Sequence, residues 1–364
     1  MEQWDSNPWL LNTPTGVVDL RNGQLRTHQL SDYMTKMTLV GPAPAGSDAS
    51  VWSGFLDRIF ARDPGLIAFV QRAVGYALTG SVRDHAIFFM YGTGANGKSV
   101  LVNTVRAMLG AYATSVPMDT LTITPYPSHP TELADLAGAR LVYASETEGG
   151  RRWAEARIKQ LTGGDPIKAR KMRQDVFEYQ PQFNLFVAGN HKPSLTNVNE
   201  AIRRRLHLIP FDVTIPPAEQ DRDLTDKLAS ELPVILSWAI RGCLEWQRIG
   251  LSPPSKVSAA TNDYLAGEDT LAQWIGECCS TEPNDTSTSA VLFANWKSYA
   301  ERAQERAGSQ KSFVLRLEER KFKRWRCPKT DRRGFSGIRT IDQDLGVNRN
   351  ATEANDNHRG SDVP

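Results

Sequence analysis

Short runs of consecutive apolar residues predict buried β-strands in the middle of the chain. The run Ala86–Tyr91 ends at a glycine and is too short for a typical helix, which favours a strand covered on both faces. Three later runs have the same character, and helical or loop sequence separates them: Arg140–Ser145, Phe183–Ala188 and Leu206–Phe211. This alternation predicts an α/β domain with a mostly parallel sheet.

Apolar residues at helical spacing predict helices around these strands. Val51–Thr79 carries apolar side chains three and four positions apart, and Gly97–Leu109 follows the first strand directly. Asp221–Ile249 is a further helical stretch, in which Pro233 suits the first position of a second helix. Near the amino end, Asn22–Gly23 between two short apolar runs predicts a small hairpin.

The last part of the chain has a different pattern. Thr286–Ser289 offers caps for a helix that continues to Ala303, and Lys311–Lys321 is a second helix. Two runs then flank a polar turn that is rich in arginine, Arg324–Cys327 and Gly337–Ile341. The order of helix, helix and hairpin predicts a winged helix-turn-helix.

Composition excludes several classes of protein. The chain has 364 residues, of which 40% are hydrophobic and 23% charged, so it is neither collagen-like, wholly disordered nor a disulfide scaffold. Its four cysteines form no CxxC pair, which argues against a zinc site and favours a reducing compartment. No apolar run is long enough to cross a membrane, and the first twenty residues lack the basic start of a secretory signal. We therefore expect a cytoplasmic protein.

The net charge of +2 conceals two strongly basic stretches. Residues 149–173 contain eight Lys or Arg against two acids, and residues 308–340 contain eleven against three. Such concentrated charge suggests a polyanionic partner, although a solvated helix face explains either stretch equally well. In the first stretch Lys168 and Arg170 share one face if the segment is a strand. With Lys171 they could bind a nucleic-acid backbone without reading its bases.

The most specific motif is G-T-G-A-N-G-K-S, which matches G-x-x-x-x-G-K-[ST] with a strand before it and a helix after it. Backbone N–H groups of such a loop surround phosphate oxygens, and the helix N-terminus adds partial positive charge. We expect Lys98 to contact the β- and γ-phosphates and the Ser99 hydroxyl to hold Mg²⁺. ATP and Mg²⁺ are therefore the expected ligands. The candidate nucleotide-binding residues are Gly92, Thr93, Gly94, Ala95, Asn96, Gly97, Lys98 and Ser99.

Polar residues follow two other predicted strands. Glu146 and Glu148 supply two carboxylates, one for the Mg²⁺ shell and one for the attacking water. We favour Glu146 for the metal and Glu148 for the water, although two solvated acids at a loop start are the simpler alternative. Asn190 can position the water and sense the γ-phosphate, but an asparagine in a β-turn is as plausible.

Three consecutive arginines, Arg203, Arg204 and Arg205, stand directly before the last apolar strand. A guanidinium from one subunit of a ring can stabilise charge on the γ-phosphate held by its neighbour. A surface basic cluster or a set of salt bridges is the alternative.

The order of these motifs resembles the helicase half of the phage and plasmid primase-helicases, which are related to the poxvirus primase-helicase. These proteins are superfamily 3 helicases with an AAA+ ATPase core. The likeness covers roughly Asn12–Ile341. The motifs that carry it are Gly-x-Asn-Gly-Lys-Ser, Ala-Ser-Glu-x-Glu, Ile-Lys-x-Leu-Thr-Gly-Gly-Asp, Gly-Asn-His-Lys-Pro and Arg-Arg-Leu.

The resemblance implies a hexameric ring that hydrolyses ATP between subunits and translocates on single-stranded or forked DNA, in phage, prophage or plasmid replication within a bacterial host cell. It also implies that one of Arg204 and Arg205 acts on the neighbouring subunit. Because Arg203 stands where relatives often have an aromatic residue, the choice among the three arginines stays open. The remaining residues that the likeness assigns are Lys98, Ser99, Glu146, Glu148 and Asn190 for ATP hydrolysis, and Lys168, Arg170 and Lys171 for DNA.

The predicted organisation follows from these assignments. About 80 residues precede the core, too few for the N-terminal primase domain that family members commonly carry, so we expect no priming by this chain. Either a separate protein primes, or the chain is a fragment of a longer one. The predicted regions are a mainly helical N-terminal collar (1–80), a P-loop AAA+ core (81–215), a helical lid (216–265), a winged-helix-like DNA-binding domain (266–342) and a disordered tail (343–364).

Two other functions remain open from the sequence. An ATP-regulated replication initiator or loader would bind one duplex site without processive unwinding. A soluble nucleotide-binding enzyme, such as a small-molecule kinase, would need neither basic stretch.

Overall fold

The computed structural model describes residues 4–124, 130–145, 150–196 and 198–341. The chain divides into two compact units, Met1–Glu268 and Asp269–Pro364. None of the helices in these described ranges is both long and apolar enough to cross a membrane.

The first unit begins with a small antiparallel sheet, not with helices. Its strands are β1 (Leu10–Thr13), β2 (Gly16–Asp19) and β3 (Gln24–Arg26). The hairpin predicted at Asn22–Gly23 joins β2 to β3, and both N–H groups donate to the Asp19 carbonyl. Helices α1 (Ser50–Ile59) and α2 (Pro64–Ala77) follow, as the apolar spacing predicts. The amino end is therefore less helical than expected, because its apolar pairs are too short to show a period.

A five-stranded parallel sheet forms the centre of the first unit, which confirms the predicted α/β class. Its strands run in the order β10-β4-β9-β6-β5. The elements of this region are β4 (Ile87–Tyr91), α3 (Lys98–Leu109), β5 (Ala113–Ser115), α4 (Pro130–Ala134), β6 (Leu141–Ser145), α5 (Glu155–Gly163), β7 (Ile167–Arg170), β8 (Val176–Tyr179), β9 (Asn184–Gly189), α6 (Glu200–Arg203) and β10 (Leu206–Pro210).

Strand β4 shows why these apolar runs form the centre. Ile87 and Phe89 belong to the hydrophobic cluster on one face of the sheet, and Phe88 and Met90 belong to the cluster on the other face. Successive side chains of a strand point to opposite faces, so only a continuous apolar run satisfies both clusters.

Three helices complete the first unit: α7 (Leu224–Ser230), α8 (Leu232–Ile249) and α9 (Ser255–Glu268). Pro233 lies in the first turn of α8, as predicted. Helix α8 packs closely on α2, because Gly75 and Gly242 bring the two backbones together and a Cβ at either position would overlap the opposite main chain. Helix α9 lies along β10, where the Thr261 hydroxyl accepts the Leu208 N–H at 2.9 Å.

The buried Arg140 ties the amino-terminal sheet to the core. Its guanidinium donates to the carbonyls of Leu78 at the end of α2 and of Leu10 in β1, both at 2.5 Å, and lies 4.5 Å from the centroid of the Tyr112 ring. Burial lowers the pKa of Arg140. Carbonyl oxygens and one aromatic face therefore stabilise this cation inside the first unit.

The second unit has the predicted order of helices followed by a hairpin. Its core is formed by Trp274, Trp296, Phe313 and Phe335. Its elements are α10 (Thr270–Cys278), β11 (Cys279–Ser280), β12 (Thr286–Thr288), α11 (Ser289–Arg302), α12 (Gln310–Glu319), β13 (Lys323–Arg326), β14 (Arg333–Ser336) and β15 (Arg339–Thr340).

Two details of the second unit differ from the sequence prediction. Thr286–Thr288 is a strand that pairs with β14, and only Thr288 caps α11. The partner of β13 is Arg333–Ser336, whereas Gly337–Ile341 leads to the pairing of β15 with β11. Gly334 permits this arrangement, because a Cβ there would overlap the Ser287 carbonyl. The predicted tail, 343–364, lies outside the described residues.

Candidate functional site

The G-T-G-A-N-G-K-S loop joins the carboxyl end of β4 to the start of α3. Gly94 and Gly97 have φ angles of 104° and 84°, and Ala95 has a φ of 47°, so the backbone turns sharply where a phosphate-binding loop requires it. Lys98 is the first residue of α3, and the exposed Ser99 follows it. The N–H groups of this first helical turn have no partner within the helix, which makes the loop a site for anions.

Lys98 is 6% exposed and is held by neutral oxygen atoms. Its Nζ donates to the Gly92 carbonyl at 2.7 Å, to Asn96 Oδ1 at 3.1 Å and to Asn190 Oδ1 at 3.3 Å. Burial lowers the pKa of Lys98. A buried ammonium with neutral partners carries uncompensated charge, which is what a phosphate group would stabilise.

Asn190 contacts Lys98 because the neighbouring parallel strands β4 and β9 end at the same edge of the sheet. Strand β9 lies beside β4, with Gly189 opposite Tyr91, and Asn190 is the next residue. On the other side of β9, Ser145 at the end of β6 lies opposite Ala188. The predicted acids Glu146 and Glu148 lie outside the described residues. The structure thus brings together Lys98 and Asn190, which stand far apart in the sequence.

The three arginines occupy two different environments. Arg205 is 6% exposed, and its guanidinium donates to the Thr162 hydroxyl at 3.1 Å and to the Ala201 carbonyl at 2.8 Å. Burial lowers the pKa of Arg205, and the positive charge of the neighbouring Arg204 lowers it further. Arg203 and Arg204 are exposed at the end of α6. Arg205, which the sequence offered as an arginine acting on a neighbour, is therefore held inside its own chain.

The basic segment after α5 folds into an antiparallel hairpin of β7 and β8. Lys168 and Arg170 are exposed on one face of β7, whereas Ile167 and Ala169 are buried on the other, as the two-residue spacing predicts. Lys171 lies in the exposed turn, beside Met172, which is 76% exposed. The hairpin therefore exposes cations together with two apolar side chains, Met172 and Val176.

Lys192 is a further cation near this edge of the sheet that is not among the predicted site residues. Its Nζ lies 4.1 Å from the centroid of the Tyr91 ring, at the end of β4. Burial lowers the pKa of Lys192, and the carboxylates of Asp263 and Asp212 oppose this shift. Its position two residues after Asn190 is the sequence signal that points to it.

The described residues contain no cluster of three His, Cys, Asp or Glu side chains that could hold a metal on its own. A hydroxyl at the start of α3 suits a cation that is also held by phosphate oxygens. The Ser99 hydroxyl, at the start of α3, is a candidate for that role.

Two family models match parts of the chain. One is described as "D5 N terminal like" and matches residues 1–61, and the other is described as "Family of unknown function (DUF5906)" and matches residues 90–205. The second match spans the loop at Lys98, the β7–β8 hairpin and the arginines of α6.

Several viral proteins are similar in sequence. "Putative helicase 022R" of Frog virus 3 (isolate Goorha) is 29% identical over 269 residues, which cover 65% of this chain and 27% of that protein. "Putative helicase L207/L206" of Acanthamoeba polyphaga mimivirus is 25% identical over 297 residues, which cover 75% of this chain and 31% of that protein. The chain therefore spans about a third or less of the length of these relatives.

A solved structure has a similar fold. "The A form apo structure of NrS-1 C terminal region-CTR" aligns with a TM-score of 0.50 at 10% identity, over 82% of this chain and 76% of that one. The viral relatives and the two family models support the resemblance found in the motifs of the sequence, and the solved structure shows a similar fold.

Proposed function

Because the chain belongs to the primase-helicase family, we propose that it is an ATP-dependent DNA helicase that acts as a ring translocase on single-stranded DNA in phage, prophage or plasmid replication. The observation that carries this proposal is the environment of Lys98, a buried ammonium between Asn96 and Asn190 at the start of a helix. The names of the viral relatives support the helicase part.

ATP would enter this site with its phosphates on the loop before α3. The phosphate oxygens would become the strongest partners of the Lys98 ammonium, because a charged oxygen attracts an ammonium more than a neutral one does. Ser99 and Glu146 would hold Mg²⁺, which neutralises phosphate charge as it develops. Glu148 and Asn190 would orient the attacking water.

Hydrolysis would be completed by an arginine from the neighbouring subunit of a ring, expected to be a hexamer. Arg204 is the better candidate, because Arg205 already donates to Thr162 and Ala201 in its own chain. A guanidinium brought to the γ-phosphate stabilises the transition state only when the ring is assembled. This arrangement would make hydrolysis dependent on assembly.

The β7–β8 hairpin would bind the DNA backbone. Lys168 and Arg170 present two cations from one face, and Lys171 adds a third at the turn. Contacts of this kind are insensitive to sequence, which suits a translocating motor. The hairpin lies between β6 and β9 in the chain, so nucleotide-dependent shifts at Asn190 could reach it through β9.

The hairpin of the second unit favours a second candidate function, an ATP-regulated initiator or loader. Arg326 and Arg333 stand directly opposite each other across β13 and β14. Asp331 in the turn forms an ion pair with Arg326 at 2.8 Å, so the exposed Arg333 is the cation that would contact an anionic ligand. In that case the second unit would select a duplex site, and ATP would drive assembly on it.

Strand displacement separates the two candidates. We expect the purified chain to displace a labelled strand from a forked duplex with ATP and Mg²⁺, and Lys98→Ala to displace none. Protection of one specific duplex sequence, with no displacement from any fork, would favour the initiator.

A further inference from the structure

Asn96 lies inside the phosphate-binding loop, yet its side chain faces the protein and not the solvent. The residue is 3% exposed. Asn96 Oδ1 accepts from Lys98 Nζ at 3.1 Å, and Asn96 Nδ2 donates to the Phe211 carbonyl at 3.2 Å. Both ends of this buried amide are therefore satisfied, which fixes its orientation.

The Phe211 carbonyl is itself fixed. The Phe211 N–H donates to the Tyr91 carbonyl at 2.8 Å, which continues the pairing of β10 with β4, and its ring lies 5.0 Å from that of Phe60. Gly92 packs directly against both groups, since a Cβ at this position would overlap the Phe211 carbonyl and the Asn96 amide. The amide is thus attached to a rigid part of the sheet.

A second bond joins the loop to the same stretch of chain. The Ile215 N–H donates to the Ala95 carbonyl at 2.7 Å, four residues beyond Phe211. The segment from Phe211 to Ile215 leads toward α7, which packs against α3 and α1. Asn96 and Ala95 therefore connect the lysine loop to the segment that leads into the helical lid.

We propose that Asn96 is a positioning residue for the phosphate-binding lysine: its amide sets the place of the Lys98 ammonium relative to the end of β10 and keeps its bond to the ammonium when phosphate binds. This inference rests on the proposed nucleotide site and assigns a role within it. A neutral amide suits the task, because it orients the ammonium without neutralising the charge that the phosphate needs.

Two variants of Asn96 test this role, with a third as control. Asn96→Ala removes the acceptor, and we expect the Kd for ATP to rise about tenfold, as for loss of a hydrogen bond to a charged group. Asn96→Asp keeps the size but pairs the ammonium with a carboxylate, and we expect Kd to rise about a hundredfold. Asn184→Ala removes another buried asparagine, whose Nδ2 donates to the Ser81 carbonyl away from Lys98, and should leave Kd within about twofold.

The test is which of the two Asn96 variants binds ATP more tightly. Asn96→Asp resembles the wild type more closely in shape than Asn96→Ala does. A purely structural role predicts that Asn96→Asp binds ATP better than Asn96→Ala, and that outcome would overturn the proposal. Equal losses in Asn96→Ala and Asn184→Ala, in step with their unfolding temperatures, would also overturn it. The assay needs no DNA. If the wild-type chain binds no ATP, the proposed function is contradicted. If the wild type and Asn96→Asp bind ATP equally tightly, only the role of Asn96 is contradicted.

Discussion

At the scale of single residues, the place of a buried cation in the fold distinguishes a candidate site residue from a structural one. Lys98 and Arg205 are both 6% exposed and both donate to neutral oxygens, but Lys98 begins α3 at the end of the loop, whereas Arg205 donates to Thr162 and Ala201 just before β10. The sequence shows both as basic residues beside apolar strands. Their positions differ because the order of strands in the sheet places one cation at the loop and the other beside Thr162, and that order depends on residues that are distant along the chain.

Substitution of Arg204 and substitution of Arg205 are therefore expected to have different effects, the first on ATP hydrolysis and the second on stability. Arg204→Ala should bind ATP normally and lose about a thousandfold in the rate of hydrolysis, the usual effect of removing an arginine that acts on the γ-phosphate. Arg205→Ala should lower the free energy of unfolding by about 3 kcal/mol, since two hydrogen bonds of a buried cation are lost. ATP binding, ATPase rates and urea unfolding of both variants measure this.

A mixture provides the control for action between subunits. Lys98→Ala retains its arginines, and Arg204→Ala retains its phosphate-binding loop, so an equal mixture of the two inactive proteins should regain part of the activity. A mixture that stays inactive although the two proteins assemble together would contradict an arginine acting in trans.

His207 gives the fold a dependence on pH. It packs against the rings of Phe69 and Phe88, and burial lowers its pKa from an ordinary value of 6.5 to about 4. The folded state therefore disfavours the imidazolium, so stability is full above pH 6.5 and falls as the pH drops toward 4. We expect a loss of about 2 kcal/mol between pH 7 and pH 5 from this group.

Unfolding of wild type and His207→Phe at the two pH values measures the contribution. The phenylalanine keeps the ring stack and cannot be protonated, so its loss between pH 7 and pH 5 should be smaller by that amount. Identical pH dependence in the two proteins would show that His207 does not carry the effect.

At the scale of elements, the β7–β8 hairpin is the part of the first unit best suited to hold DNA. Its alternation of buried and exposed residues leaves Lys168 and Arg170 on one face. We expect the double variant Lys168→Ala with Arg170→Ala to weaken binding of single-stranded DNA, and the slope of log Kd against log salt to fall by about 1.4, since each single-strand phosphate contact contributes about 0.7.

Arg241→Ala serves as the matched control for the hairpin, because Arg241 is an exposed arginine on α8. It should leave both the affinity for single-stranded DNA and the salt slope unchanged. If Arg241→Ala weakens binding as much as the hairpin variant does, the hairpin is not a specific DNA contact. The positive charge of the whole surface then explains the affinity.

The elements also show how far the sequence predicts the structure. The runs that became β4, β6, β9 and β10 were identifiable because strands buried on both faces must be apolar throughout. β1 was not predicted, since a four-residue strand carries too little pattern, whereas β2 and β3 were expected as a hairpin. The loop around Lys98 was predictable from local chemistry, but the burial of Arg205 and the contact of Asn96 with Phe211 depend on the order of strands in the sheet.

At the scale of the whole molecule, the chain has a unit with a parallel sheet, Met1–Glu268, and a smaller unit of helices and a basic hairpin, Asp269–Pro364. In our proposal the first unit binds ATP and single-stranded DNA, and a duplex contact, if there is one, is made by the second unit. The β4–α3 loop and the β7–β8 hairpin are both built on the first unit, so energy from hydrolysis could move DNA without the second.

The central claim, that ATP hydrolysis at Lys98 drives movement on single-stranded DNA, is tested most directly by one measurement. ATP hydrolysis is measured for the wild type and for Lys98→Ala, each with and without single-stranded DNA. The account predicts a slow rate for the wild type alone, strong stimulation by DNA, and no activity of Lys98→Ala in either condition. A wild-type rate that DNA leaves unchanged, or a Lys98→Ala variant that still hydrolyses ATP, would contradict it.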